Sequence, residues 1–310
     1  MKSITVLVVT YNQEEEICRC LDSILAQMQF GLKHIVICDD CSKDGTWKKL
    51  QEYKMAFPNV VMPYRNERNL GIYENTYQTL SYRGEADLYH QIAGDDVLCD
   101  GWFKSIQEYI DCHDIDFNEP IGFYSDWKRI DALGNEEFFS QSLVNKGLNL
   151  FSLYIRGLIC NRSLLVNDKV LELYSPIDTN RSLNVVESEY DAQDHRLIKK
   201  VHYVPYIGSI YYQGIGVSSS LDIEGSDYLT TQNIEKWKFF LAKYINDEAD
   251  RYYAYANIEM SSFFETLNMK SFFKAILFFH KGRMKGISYS LGEYVRFVRP
   301  MLGFLKQRLI

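Results

Sequence analysis

The first 120 residues alternate between continuous apolar runs and segments with helical periodicity. Four runs rich in β-branched residues predict buried strands, at residues 4–10, 34–38, 60–64 and 87–93. A helical pattern follows each run, over residues 13–28, 47–56, 71–82 and 101–112, and Asn12 is the expected N-cap of the first helix. This alternation predicts an α/β fold, with a mostly parallel, doubly wound sheet and helices on both faces.

The pattern becomes less regular after residue 120. Three short apolar runs predict strands, at residues 121–124, 202–205 and 209–213. Three stretches have a helical or mixed pattern, at residues 148–165, 167–174 and 192–200. The polar residues 175–189 predict a loop, and from about residue 227 onward apolar and aromatic residues recur at helical spacing. We therefore divide the chain into an α/β domain, residues 1–225, and a helical C-terminal region, residues 226–310.

The composition is that of a globular chain, with 46% hydrophobic and 24% charged residues. The net charge of −7 argues against a general nucleic-acid-binding protein. Residues 1–4 lead directly into the first predicted strand, so we expect no signal peptide, and no apolar run reaches the ~18 residues that a membrane span needs. The seven cysteines form no zinc-binding pattern, which favours reduced thiols and a cytoplasmic location.

Charge is unevenly distributed along the chain. Residues 274–310 contain eight basic residues and one acidic residue, so the preceding part of the chain carries a net charge of about −14. Apolar and basic positions are mixed over residues 272–310, which predicts amphipathic helix suited to an anionic membrane surface.

Acidic residues follow two of the predicted strands, at the edge where a parallel sheet binds ligands. Asp39 and Asp40 end the second strand, and Asp95 and Asp96 follow Gly94 after the fourth. Four carboxylates at one edge would repel one another unless a cation or hydrogen-bond donors lie among them. Carboxylate oxygens suit Mg²⁺ or Mn²⁺, and such ions also bind substrate phosphates. The sequence therefore predicts a metal and diphosphate site centred on Asp95 and Asp96.

Other phosphate-binding classes fit less well. The chain has neither G-x-G-x-x-G after its first strand nor G-x-x-x-x-G-K-[ST]. A nucleotidyltransferase, the second enzyme class that we consider, would carry a glycine-rich, basic loop after the first strand. Residues 11–16 are instead Tyr-Asn-Gln-Glu-Glu-Glu, an acidic run poorly suited to a triphosphate.

Four blocks of sequence resemble, in order and spacing, the opening of family-two glycosyltransferases with the GT-A fold. The blocks are residues 6–12 (VLVVTYN), 20–27 (CLDSILAQ), 35–46 (IVICDDCSKDGT) and 69–71 (NLG), and Gly94-Asp95-Asp96 follows them. The resemblance covers residues 1–135, weakens towards residue 220 and does not extend to the C-terminal region. It implies a GT-A fold, with a nucleotide-binding half at residues 1–120 and an acceptor half at residues 121–225.

The resemblance also implies a donor site for a nucleotide-diphosphate sugar, with Mn²⁺ or Mg²⁺ as cofactor. Thr10, Tyr11 and Asp39 would line the base, and Asp39 would hydrogen-bond a uracil or similar ring. Asp95 would lie near the ribose and the metal, and Asp96 would be a second metal ligand. The other positions expected at the nucleotide sugar are Asn12, Asp40, Asn69, Gly71 and Gly94.

Members of this family with such an opening are inverting enzymes, in which one carboxylate takes the proton of the acceptor hydroxyl. The resemblance implies a base some 90–100 residues beyond Asp96, at the start of a helix. An acidic pair followed by x-x-Leu is the family pattern, and residues 193–197 (QDHRL) match it with Gln193 in the first position of the pair and Asp194 in the second. The distance back from Tyr203 favours Asp191 or Glu189 instead. We expect Asp194 or Asp191 to be the base, with Glu189 third.

Two departures from the family pattern favour an alternative without catalysis. Ala93 stands at the first acid of the D-x-D motif, and residues 211–218 lack the histidine that often completes the metal shell in relatives. A glycosyltransferase-like assembly subunit would have the same fold and bind the donor without transferring the sugar.

The favoured function is a metal-dependent, inverting hexosyltransferase that uses a nucleotide-diphosphate sugar, with UDP-sugar preferred. Its acceptor would be a glycan or a polyprenyl-linked sugar in capsule, exopolysaccharide or lipopolysaccharide synthesis. We expect a cytoplasmic protein at the inner face of the membrane, with residues 272–310 contacting anionic lipid and no role for nucleic acid.

Overall fold

The computed structural model describes residues 1–213, 226–266 and 268–285. The chain forms two compact units, residues 1–224 and 225–310. The described strands all belong to the first unit, and they are β1 (Ile4–Thr10), β2 (Leu32–Asp39), β3 (Val61–Arg65), β4 (Leu88–Ala93), β5 (Val97–Leu98), β6 (Ile121–Ile130), β7 (Glu136–Phe139), β8 (Leu164–Val166) and β9 (Lys200–Tyr212).

The helices of the first unit lie between these strands. They are α1 (Ile17–Leu25), α2 (Thr46–Ala56), α3 (Ile72–Ser81), α4 (Trp102–Cys112), α5 (Leu150–Ile155), α6 (Asp168–Leu171) and α7 (Leu183–Leu197). Two short 3₁₀ helices, Met28–Phe30 and Ser142–Lys146, complete the unit.

One mixed sheet organises the first unit, in the order β3-β2-β1-β4-β8-β6-β9-β5, with β7 paired to β6. Strands β3, β2, β1 and β4 are parallel, and β6 and β9 are parallel to each other. Strand β8 is antiparallel to both β4 and β6, so β6 and β9 run in the same direction as β4. The prediction of a mostly parallel α/β sheet is therefore confirmed.

Helices cover both faces of this sheet because its central strands are apolar on both sides. On one face, Val6 and Val8 of β1 pack in a core with residues of α1 and α4. On the other face, Leu7 packs in a second core with residues of α3 and α7. The four strands and four helices predicted for residues 4–112 are all present, with ends that differ by a few residues.

The first helix begins later than expected, and Asn12 is not its N-cap. Helix α1 starts at Ile17 after Glu16, whereas Asn12 has a φ of +50°. Asn12 is held away from the helix because its Oδ1 accepts a 2.8 Å hydrogen bond from the Lys43 amide, and its own amide donates to Ser42 Oγ.

The second half departs further from the predicted elements. Strand β9 is continuous where two strands were expected, because it pairs with β6 along its whole length. The register of this pairing is irregular beside Pro205 and Tyr206. Helix α7 begins at Leu183, inside the predicted loop of residues 175–189, and ends at Leu197. Of residues 148–165, only α5 is helical, and β8 begins at Leu164.

The described part of the second unit consists of helices α8 (Ser226–Lys243), α9 (Glu248–Thr266) and α10 (Met269–Met284). Helices α9 and α10 pack through small apolar clusters, such as Ala256 with Phe279 and Phe263 with Ala275. The predicted C-terminal helical extension is confirmed over these residues. No described helix is both long and apolar enough to cross a membrane. The part of the predicted amphipathic segment from residue 286 onward lies outside the described residues.

Candidate active site

The carboxyl ends of three neighbouring strands form one edge of the sheet. The register pairs Thr10 at the end of β1 with Asp39 at the end of β2, and Val9 with Ala93 at the end of β4. The loops that follow these strands therefore lie side by side, which brings together the residues that the sequence placed at a nucleotide sugar.

The loops after β1 and β2 are bound to each other by side chains. The Gln13 amide donates a 2.9 Å hydrogen bond to Thr46 Oγ1, and the Gly45 amide donates to a Glu14 carboxylate oxygen at 2.7 Å. Thr10 is buried, and its hydroxyl donates to Gln13 Oε1. Tyr11 remains partly exposed at the surface of this edge.

Asp39 is fully buried at the end of β2, beneath this edge. Its carboxylate accepts hydrogen bonds from the Ser42 hydroxyl and amide, and Arg65 Nε lies 3.1 Å from Oδ2. Burial raises the pKa of Asp39, and the Ser42 and Arg65 contacts oppose the rise. A nucleotide base that contacts Asp39, as the resemblance implies, would have to share this carboxylate with Ser42 and Arg65.

Asp40 is buried and holds the loop before α3. Its Oδ1 accepts hydrogen bonds of 2.8 Å from the Leu70 amide and Asn66 Nδ2, and its Oδ2 accepts one of 2.8 Å from the Gly71 amide. Asn69 Oδ1 also accepts from the Gly71 amide, at 3.0 Å. The structure therefore gives Asp40 a loop-holding role, and its direct contact with a nucleotide stays a prediction.

Gly94 and Asp95 form the turn after β4. A Cβ on Gly94 would lie 2.6 Å from Gln13 Oε1 and 3.0 Å from Thr10 Oγ1, so a larger residue there would have to displace these buried side chains. Burial raises the pKa of Asp95, while its own backbone amide and the Arg162 guanidinium lower it. The Asp95 carbonyl accepts a 3.1 Å hydrogen bond from Arg19.

Asp96 forms an ion pair with Arg162, whose Nη1 lies 3.2 Å from Asp96 Oδ2. The other oxygen, Oδ1, is buried and has no hydrogen-bond partner in the described chain. Burial raises the pKa of Asp96 to about 7, although Arg162 lowers it. The guanidinium carbon of Arg162 lies 3.5 Å from the centre of the Tyr211 ring and 5.4 Å from that of Trp127.

A cavity of about 300 Å³ extends from Asp96 and Arg162 to helix α7. It lies at the face of the sheet covered by α3 and α7, and Gln91 of β4 lines it too. Helix α7 contributes residues at helical spacing, namely Glu187, Tyr190, Asp191 and Asp194. Asp96 and acidic side chains that follow it by 91 to 98 positions in sequence therefore line one cavity.

The three candidate bases occupy different environments on α7. Asp191 lines the cavity and is partly exposed, and burial, followed by the Glu187 charge, raises its pKa to about 8. Asp194 is buried and accepts hydrogen bonds from the Tyr174 hydroxyl and, at 2.7 Å, from Asn161 Nδ2. Burial raises the pKa of Asp194 to about 7. Glu189 is buried and does not line the cavity.

The acidic residues at this edge fit a divalent cation only together with ligands from outside the described chain. The described residues contain no group of three or more His, Cys, Asp or Glu that could hold an ion. Asp95 and Asp96 are adjacent carboxylates, and the unpaired Asp96 Oδ1 is available to a ligand. Mg²⁺ is commonly bound by one or two carboxylates together with substrate phosphates and water. The residues present therefore fit a metal whose remaining ligands come from the donor and from water.

Two arginines of this edge were not among the sequence-predicted site residues. Arg65 follows from the register of β3, which places it opposite Asp39. Arg162 precedes β8, and only the pairing of β8 between β4 and β6 brings it to Asp96. The local sequence carried no signal for Arg162, because its neighbours had a helical or mixed pattern.

Solved structures with a similar fold are glycosyltransferases. The first 349 residues of S. aureus TarS, in complex with UDP-GlcNAc, match with a TM-score of 0.59 at 16% identity, over 91% of this chain and 81% of that one. The mannosyltransferase PcManGT from Pyrobaculum calidifontis, in complex with GDP-Man and Mn²⁺, matches with a TM-score of 0.53 at 12% identity, over 98% and 81%. GalNAc-T7 with UDP, GalNAc and Mn²⁺ gives 0.53 at 14% identity, over 84% and 51%.

The fold of the first unit is thus that of GT-A glycosyltransferases. Residues 5–145 match the sequence model of glycosyl transferase family 2. Over this stretch, which is less than half of its length, the chain is similar to glycosyl transferase family 2. Uncharacterized proteins of Mycobacterium tuberculosis and Mycobacterium bovis are 34% identical over 112 residues, which is 35% of this chain and 32% of theirs. The match thus spans about a third of the length of these relatives.

Proposed function

We propose that the protein transfers a hexose from a nucleotide-diphosphate sugar to a hydroxyl group of an acceptor, with inversion at the anomeric carbon. The observation that carries this proposal is that Asp96, Arg162 and Asp191 line one and the same cavity. A leaving diphosphate at the first side and an acceptor hydroxyl near the second would place the anomeric carbon between them.

In the proposed reaction the acceptor oxygen attacks the anomeric carbon as the bond from that carbon to the diphosphate oxygen breaks. The acceptor proton passes to the Asp191 carboxylate, and the nucleoside diphosphate leaves with the bonding electrons. A bound Mn²⁺ or Mg²⁺ would neutralise charge on the diphosphate, and Asp95 and Asp96 would hold it. The Mn²⁺ in the PcManGT and GalNAc-T7 structures supports this choice of metal.

Asp191 is the best supported base of the three candidates. It is partly exposed to the cavity, whereas Asp194 is engaged by Tyr174 and Asn161. A general base is most effective when its pKa lies near the working pH, and the pKa of Asp191 is raised to about 8. Asp194 would then be a positioning residue in the wall of the cavity. The family pattern that favoured Asp194 would indicate the position of the helix rather than that of the base.

The nucleotide would lie over the loops after β1 and β2. Tyr11 is exposed enough to stack on a base, while Thr10, Asn12, Asp40, Asn69, Gly71 and Gly94 shape the loops around it. We favour a uridine nucleotide, with Asp39 near the ring. The UDP-GlcNAc complex of TarS and the UDP complex of GalNAc-T7 support this preference.

The acceptor proposed is a glycan or a polyprenyl-linked sugar of a cell-surface polysaccharide, at the cytoplasmic face of the membrane. Support comes from α10, where apolar side chains three to four positions apart are exposed: Met269, Phe273 and Leu277. Lys270, Lys274 and Lys281 lie on the same helix, which contains no acidic residue. A basic helix with an exposed apolar stripe suits the surface of an anionic bilayer.

A non-catalytic donor-binding subunit is the second candidate. It is favoured by Ala93 and by the absence of a three-residue metal cluster within the described chain. Transfer and donor hydrolysis assays with UDP-, GDP- and dTDP-sugars and Mn²⁺ separate the two. Turnover supports the enzyme, ordered donor binding without turnover supports the subunit, and neither binding nor turnover contradicts both.

A further inference from the structure

The cavity has a strong imbalance of charge. Among the described residues that line it, Arg162 is the one cationic side chain, while Asp96, Glu187, Asp191 and Asp194 are acidic. A donor diphosphate would bring further negative charge to the same place. Two metal-binding carboxylates already balance much of a divalent ion, so another positive group is needed at the leaving group.

The surroundings of Arg162 suit its guanidinium to be that positive group. The guanidinium carbon of Arg162 lies 3.5 Å from the centre of the Tyr211 ring and 5.4 Å from the centre of the Trp127 ring. These rings belong to β9 and β6, two strands of the rigid sheet. The side chain is about one-third exposed, so a ligand can reach it.

The donors of Arg162 are mostly available. A guanidinium carries five N–H groups in a planar fork. In the described part of the chain, one hydrogen bond uses them, from Nη1 to Asp96 Oδ2. The fork matches phosphate oxygens as well as carboxylate oxygens, and two parallel bonds to a phosphate are stronger than one bond to Asp96.

We propose that Arg162 binds the diphosphate of the donor, exchanging its hydrogen bond to Asp96 for phosphate oxygens and freeing that carboxylate. This inference rests on the proposed function. Arg162 would neutralise the part of the negative charge on the leaving diphosphate that the metal does not neutralise. Its consequence is a preference for diphosphate over monophosphate that persists when no divalent metal is bound.

The test compares the binding of UDP and UMP by calorimetry in EDTA, for wild type, Arg162→Gln and Arg162→Lys. We expect Arg162→Gln to weaken UDP binding about 10- to 100-fold, as for the loss of a charged hydrogen bond, and to change UMP binding little. Arg162→Lys keeps the charge without the fork and should fall between. GDP with GMP, and dTDP with dTMP, replace the uridine pair if UDP binds more weakly than they do.

Arg83→Gln is the matched control, because Arg83 is also about one-third exposed and paired with an aspartate, Asp168, but lies at the end of α3. Thermal unfolding of each variant checks that it folds. The same UDP-to-UMP ratio in wild type and in both folded Arg162 variants would overturn the role of Arg162 alone. A wild-type protein that binds none of the diphosphates in EDTA would also overturn the role of Arg162, and one that binds none of them with Mn²⁺ added would overturn the proposed function as well.

Discussion

The Gly71 amide donates a 2.8 Å hydrogen bond to Asp40 Oδ2, across 31 residues of sequence. Gly71 has a φ of +86°, which only glycine adopts readily, and this orientation directs its amide at the carboxylate. With the Leu70 amide on Oδ1, one buried aspartate fixes the entry to α3. The loop beside the proposed nucleotide site is therefore shaped by a carboxylate from outside it as well as by its own Gly71.

Asp40→Ala should lower the free energy of unfolding by about 2–4 kcal/mol, because it leaves buried amide donors without their charged acceptor. Urea denaturation measures the change. Asp131→Ala is the control, since Asp131 accepts a comparable set of bonds, from Leu133 and Asn135, on an exposed turn. A loss for Asp40→Ala no larger than that of the control would contradict the role assigned to Asp40.

The elements around Asp40 could be predicted because the first strands are buried on both faces. Val6 and Leu7 point into different cores, so the whole run is apolar and the polar residues that end it stand out. Helix α7 could not be predicted in the same way, because it directs Glu187 and Asp191 at a cavity rather than at an apolar core. The segment therefore has the polar pattern of a loop. Arg162 could not be found either, because its approach to Asp96 depends on strand pairing across 66 residues.

Gly94→Ala should destabilise the first unit by about 1–3 kcal/mol through overpacking. The added Cβ would lie 2.6 Å from Gln13 Oε1 and 2.9 Å from Ile17 Cδ1, in a region with little room to adjust. Chemical denaturation gives the difference. Gly84→Ala is the control for backbone strain without close packing. Gly84 has a φ of +62°, but a Cβ added there would have no heavy atom of the described chain within 4 Å, apart from its chain neighbours. Equal stability of wild type and Gly94→Ala would show that the Gln13 and Ile17 side chains move aside at little cost.

Asp191→Asn should lower kcat by about 10²–10⁴-fold and leave donor affinity within a few-fold of wild type, because it removes the proton acceptor and keeps the shape of the cavity. Steady-state kinetics measure kcat, and donor titration measures the donor affinity. Glu189→Gln is the comparison on the same helix, at a residue that does not line the cavity. If Glu189→Gln abolishes turnover while Asp191→Asn retains it, the assignment of the base is wrong.

The full-length protein should bind vesicles that contain anionic lipid, and binding should fall as salt screens the lysines of α10. Replacing Phe273 and Leu277 together by Ser removes two exposed apolar side chains of the stripe and should weaken binding at least about tenfold. Sedimentation with the vesicles measures this. Leu133→Ser is the control, because Leu133 is exposed on a turn of the first unit. Equal binding by the double variant and the control would exclude α10 as the contact.

The acids of α7 that line the cavity should make the protein less stable as the solution becomes more alkaline. The pKa values of Asp191 and Asp194 are raised in the folded state to about 8 and about 7, above the ordinary value near ~3.9 of an unfolded chain. At pH values between the unfolded pKa and the folded pKa, the folded protein thus binds more protons than the unfolded chain. This contribution to stability is present below the unfolded pKa and is lost as pH rises through the folded pKa.

The free energy of unfolding should therefore decrease from pH 6 to pH 9 in buffer with EDTA, as measured by urea denaturation at constant ionic strength. Asp194→Asn keeps an oxygen for the Tyr174 hydroxyl but cannot ionise, so it should flatten this dependence and raise stability at pH 9 relative to wild type. Asp178→Asn, at an exposed carboxylate outside the cavity, should leave the slope unchanged. A wild-type slope that persists in Asp194→Asn would mean that Asp194 is already ionised at pH 6, and that Tyr174 and Asn161 stabilise its charged form.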